Sequence, residues 1–199
     1  MSAAARALAL SRGIRLEAIT VGWMAVEAAV ALGAGIAARS VLLTAFGVDS
    51  AVELLSGVTL WLRLRADSDG AGVERAATRV SAALLVLLCA YLVLSSVAGL
   101  ALRVEPQSSW IGVVVTAAAL VFMPWLALRK RKVNDVLQSP ALRADIAESV
   151  TCAYLAGVTL LGLAVNALTG LWWVEYVAAL ALLRWLVPEA REAVEAARS

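Results

Sequence analysis

The residues of this chain that could do chemistry are acids standing inside apolar segments. Asp49 and Glu53 lie within the run Val41–Leu62, Glu148 and Cys152 within Leu142–Leu168, and Glu27 in the middle of Glu17–Ala38. Asp49 and Glu53 are spaced i, i+4, as are Glu148 and Cys152, so in a helix each pair occupies one face. Four converging oxygen and sulfur donors suit a tetrahedral metal site. A thiolate in the set favours zinc or another soft ion over magnesium or calcium. A charged side chain at the centre of a membrane-spanning helix costs about 2.5–3.5 kcal/mol on insertion scales. The sequence places no basic residue at matching depth, and Arg184 falls nearer a helix end. Unpaired acids at that cost make sense if a cation visits them.

Six segments long and apolar enough to act as spans position these residues. They are 17–38, 41–62, 76–102, 110–128, 142–168 and 172–187, with breakers between them at Asp67-Ser68-Asp69-Gly70, Glu105-Pro106-Gln107, Ser139-Pro140 and Thr169-Gly170. The chain is 62% hydrophobic, against roughly 45–50% for a soluble domain. That excess calls for a bilayer as solvent and leaves no polar stretch for an independent soluble domain. The expected fold class is therefore an all-α membrane protein of six transmembrane helices. Residues 1–16 form a cytoplasmic N-terminal leader or amphipathic helix, 17–188 the transmembrane domain, and 189–199 a short cytoplasmic tail. Arg6, Arg12, Arg15, Arg63, Arg65, Arg75, Arg79, the Arg129–Lys132 run, Arg191 and Arg198 fall on one side, and only Arg39 and Arg103 on the other. The excess of positive charge places both termini in the cytoplasm. Trp110, Trp172 and Trp173 mark the outer interface, and Trp125 and Trp185 the inner one.

The composition also excludes functions. There is no histidine, so an HExxH zinc protease is impossible, and no Gly-x-Ser-x-Gly or nucleophile–base pair stands out. An enzyme is not expected. A net charge of +2, with basic residues in short clusters lacking interleaved aromatics, gives no nucleic-acid surface. Cys89 and Cys152 are far apart in apolar runs, which argues against a disulfide framework.

A shift of 99 residues lays Ser40 on Ser139, Leu43 on Leu142, Ala45 on Ala144, Asp49 on Glu148, Ser50 on Ser149 and Glu53 on Cys152. Helices 2 and 5 run in opposite directions, so this is the pattern of an inverted repeat of two three-helix halves with a site at the midplane.

The stretch SVLLTAFGVDSAVELLSG resembles the second transmembrane helix of the cation diffusion facilitator superfamily, where an acid or histidine, three residues and an aspartate recur; Asp49 and Glu53 stand at those positions. SPALRADIAESVTCAYLAGV resembles that superfamily's fifth helix through Ser139, Leu142, Ala144, Asp145 and Ala147, which puts Glu148 and Cys152 at the ligand positions. GLWWVEYVAAL is similar to the sixth-helix pattern, with Glu175-Tyr176 in place of Asp-Pro. The resemblance covers roughly residues 15–190. It implies a proton-coupled exporter of Zn2+, or of Co2+, Cd2+, Fe2+ or Mn2+, working by alternating access through a midplane site between helices 2 and 5, usually as a homodimer. The ligand set Asp, Glu, Glu, Cys departs from the family's usual Asp and His. The usual C-terminal cytoplasmic domain is lacking, as in the short branch of the superfamily, so a dimer is expected to form through the helices.

Around this site, Glu27 reads as a further ligand, a proton carrier or a polar lining of the path. Asp145 reads as a helix cap or a guide at the point of access, and a further ligand. Asn166 is a candidate interhelical hydrogen-bond donor, Glu175 an interfacial residue, and Arg129–Lys132 the positive-inside signal. Gly47, Gly57, Gly157 and Gly162 permit close helix packing. A non-transporting metal-binding or scaffold protein is the alternative that the sequence separates least well. Arg- and Ala-rich, Lys-poor usage points to a bacterial source and its cytoplasmic membrane.

Overall fold

The computed structural model describes residues 3–65 and 71–198. The Asp67–Gly70 loop expected between the second and third helices lies outside them. Six helices make up the described chain, with no strand among those residues: α1 Ala3–Ala38, α2 Val41–Arg65, α3 Ala71–Leu102, α4 Trp110–Leu137, α5 Pro140–Thr169 and α6 Trp173–Arg198. Five of them, α1 to α5, are long and apolar enough to cross a membrane. Large side chains such as Leu94, Val121 and Trp110 point outward, as an apolar solvent requires. The chain is thus a helical membrane protein.

The helices end where local chemistry stops them. Ser109 and Ser139 cap α4 and α5, accepting hydrogen bonds from the backbone N–H groups of Gly112 and Leu142, and Pro140 opens α5 where its missing N–H costs nothing. Gly170 ends α5 at φ +68°, a conformation open to glycine without steric penalty. All six helices run past an expected span end, α1 from Ala3 and α6 through Pro188 to Arg198, where Ala, Leu, Glu and Arg are good helix formers.

Antiparallel neighbours then assemble the bundle. α1 packs on α2 and α4, α4 on α5, and α3 on α6, while α2 touches α1, α3, α5 and α6 and so occupies the centre. The α1–α2 contact is backbone-close. A Cβ on Gly47 would stand 2.7 Å from the Leu32 nitrogen, and one on Gly35 would stand 2.6 Å from the Thr44 nitrogen. Small residues are what allow such an approach between helices in lipid. It fixes the face that α2 turns toward α5, and hence the direction of Asp49.

Candidate metal site

On α2, Asp49 and Glu53 share a face, and on α5 Cys152 meets it. One carboxylate oxygen from each acid and the Cys152 Sγ all lie within 4.8 Å of one another. Asp49 and Cys152 are buried, and Glu53 is partly buried. Donors at that spacing need only a small inward movement to share one ion. Asp49 Oδ2 is buried without a hydrogen-bond partner. A buried carboxylate oxygen left unsatisfied is expensive, and here it belongs to a group of donors whose chemistry suits a divalent cation.

Of the residues expected from the sequence, Glu148 is not in this group. α2 and α5 are antiparallel, and their register sets Cys152 level with Asp49 and Glu53 but sets Glu148 beside Ser56, whose Oγ donates to Glu148 Oε1 at 3.4 Å. Ser56 lies three residues beyond Glu53, about 4.5 Å along the helix. Glu148 is therefore one step further along the same channel.

That channel is a cavity of about 1160 Å³. Its walls run on α2 from Asp49 to Leu64, on α5 from Ser139 to Thr151, and on α6 from Trp185 to Ala196. Toward the end of the bundle that carries both described termini its lining includes Glu189 and Glu192. Burial and the charge of Glu192 hold the Glu189 carboxyl above its ordinary range. Among the described residues the lining on α2 does not extend past Asp49 in the other direction. Leu42, Leu43, Phe46, Leu155, Leu163 and Tyr176 are each at most 3% exposed there.

Glu27 approaches the group from α1. It is fully buried. Its Oε1 accepts from Ser50 Oγ at 2.7 Å and from Cys152 Sγ at 3.5 Å, and its Oε2 accepts from Trp23 Nε1 at 2.5 Å. It is thus a hydrogen-bond partner of one donor of the site.

Three readings of the sequence need correction. Asp145 lines the cavity but is not free to guide an ion, because Lys130 Nζ lies 2.5 Å from its Oδ2. The same ammonium lies 3.2 Å from Glu17 Oε1. Lys130 is therefore a fully buried partner of two acids, not a surface member of the positive run, and a base does lie among the acids. Glu175, in the first turn of α6, turns into the bundle and not toward its surface. It is fully buried, accepting from Ser40 Oγ at 2.5 Å and from Asn166 Nδ2 at 2.8 Å. Asn166 also donates to the Pro106 carbonyl at 3.3 Å, which makes it the interhelical donor expected.

Periodicity carried the missed signals. Lys130 continues the buried stripe Ala119, Met123, Leu126 and Ala127 on α4, and Glu175 shares the stripe of Ala179, Leu182 and Leu186 on α6. No family model and no curated protein matches this sequence.

Proposed function

We propose that this chain carries a divalent metal ion across a membrane, with Asp49, Glu53 and Cys152 as its central site and Glu148 as the step before it. The observation that carries the reading is the unpartnered, buried Asp49 Oδ2, held with a second carboxylate and a thiol at the blind end of a cavity lined by acids. A packing interface gains nothing from an unsatisfied carboxylate. A cation site needs one.

In this reading α6 is the sixth span, packed on α3, and the basic end is cytoplasmic by the positive-inside rule. The ion enters past Glu192 and Glu189, passes Glu148 and reaches Asp49. The apolar seal of Leu42, Phe46 and Leu163 holds the far side closed until the helices rearrange, which makes this the inward-facing state of an alternating-access cycle. Zinc is the favoured cargo because of the Cys152 sulfur, and Co2+, Cd2+, Fe2+ and Mn2+ remain within reach of the two carboxylates. Protons taken up by the carboxylates as the ion leaves make the cycle an antiport. A homodimer through the helices and a bacterial cytoplasmic membrane complete the proposal, and it assigns no enzymatic step.

The test is zinc flux into proteoliposomes under an imposed pH gradient. Wild type should move zinc, while Asp49→Ala and Glu148→Ala should not. Undiminished flux in both variants would make the acids structural. Zinc bound by wild type without flux would favour the scaffold alternative.

A further inference from the structure

Glu17, Lys130 and Asp145 form the other buried cluster of charge, and the proposed transport cycle does not use it. The three come from α1, α4 and α5. The Lys130 ammonium stands 2.5 Å from Asp145 Oδ2, 3.2 Å from Glu17 Oε1 and 3.4 Å from Glu17 Oε2. One cation is thus shared by two carboxylates, and the cluster carries net negative charge when all three groups are ionised. Neither Glu17 nor Lys130 is exposed. Asp145, by contrast, forms part of the wall of the cavity that leads to Asp49 and sits one helical turn from Glu148 on α5.

Two carboxylates close enough to touch a single ammonium are close enough to share a single metal ion. Oxygen donors around a small cation are also what Mn2+ or Zn2+ accepts. An ion travelling along the cavity would meet Asp145 in its wall, with Glu17 behind it across the Lys130 ammonium.

We infer that Glu17 and Asp145 form a second divalent-cation site on the access path, and that Lys130 keeps it filled with a tethered cation so that the cargo is not held there. Resting on the transport reading, this makes Lys130 a positioning residue, which clears the path without touching the ion at its central site. It differs from the bare acidic group at Asp49 in one decisive respect: a positive charge already stands between the carboxylates.

The experiment counts zinc bound per chain at equilibrium, with the full-length protein in nanodiscs. Lys130→Met retains the bulk of the stem and removes the charge. It should bind one zinc more per chain than wild type, and adding Asp145→Asn should return the count to the wild-type value. A folded Lys130→Met that binds no more zinc than wild type, or whose extra zinc survives Asp145→Asn, overturns the inference. Should Lys130→Met fail to fold, Glu17→Gln/Lys130→Met/Asp145→Asn removes all three charges together and leaves none unpaired. It should bind as much zinc as wild type, and the loss of a zinc in that variant would mean that the carboxylates already ligate metal beside the lysine. The count is a difference from wild type, so an error in the central site shows separately, as wild type that binds no zinc while the increment persists.

Discussion

Asp49 and Glu175 are both buried acids without a cationic partner among the described residues, and their surroundings differ in every respect that matters. Glu175 has both oxygens in use, one accepting from Ser40 and the other from Asn166, in a part of the bundle that the cavity does not reach. Those bonds tie together the starts of α2 and α6 and the end of α5. Asp49 has a buried oxygen with no donor, and the cavity ends at it. A buried polar group that is fully hydrogen-bonded stabilises a fold, and one left unsatisfied destabilises it. The difference therefore separates an acid that holds helices together from an acid kept ready for something that arrives. Strain of this kind, concentrated at a site and offset by packing elsewhere, is a common mark of function.

The largest expected effect breaks that contrast at Asp49. Asp49→Asn keeps the shape and removes the charge. Its zinc affinity should fall by roughly 100-fold or more, since even supporting groups around a metal site are worth 10–100-fold. Its thermal stability without metal should stay level or rise, because a costly buried carboxylate has gone. Zinc titration and thermal unfolding of the same sample check both halves. A variant that loses stability as well would place Asp49 in the same class as Glu175.

Glu175→Ala should give the opposite result. It leaves the Ser40 hydroxyl without its carboxylate acceptor and Asn166 with the Pro106 carbonyl alone, at about 1–3 kcal/mol for an orphaned buried group, while zinc affinity stays at the wild-type value. A fall in zinc affinity with unchanged stability would move Glu175 into the path of the ion and would sink the contrast.

The two acids were also unequally legible. Asp49 announced itself in the sequence, because an acid at i, i+4 from another in the middle of an apolar segment has few structural reasons to be there. Glu175 stands in the first turn of α6, where acids are commonplace partners of the helix dipole, and its contacts, Ser40 in particular, come from far away in the chain. Six helices were legible from the length of the apolar segments and the breakers between them, and five of the six are long and apolar enough to cross a membrane. Unbroken continuation of α1 back to Ala3 and of α6 through Pro188 to Arg198 was not legible, since an apolar segment marks where a helix suits lipid and not where the helix stops. The pairing of Asp49 and Glu53 with Cys152 followed from spacing, but the exclusion of Glu148 did not. Spacing gives the face of each helix and leaves open the sliding of one helix past another, and about one turn of slide decides which donors meet.

The hardest case is the run Arg129-Lys130-Arg131-Lys132, where four consecutive cations look alike and only one turns inward. Arg129, Arg131 and Lys132 are exposed while Lys130 is fully buried, because 3.6 residues per turn put one member of four on the stripe of Met123 and Leu126. The smallest predicted effect sharpens this division. Arg129 lies over the Trp125 ring at 5.2 Å, a cation–π contact worth about 0.5–1 kcal/mol at an exposed site. Arg129→Ala should therefore lower stability by no more than that, with zinc binding per chain unchanged, whereas its immediate neighbour alters the count. Equal effects of Arg129→Ala and Lys130→Met on zinc binding would mean that the run acts only through its summed charge at the mouth of the cavity, and that the inward turn of Lys130 has no separate consequence.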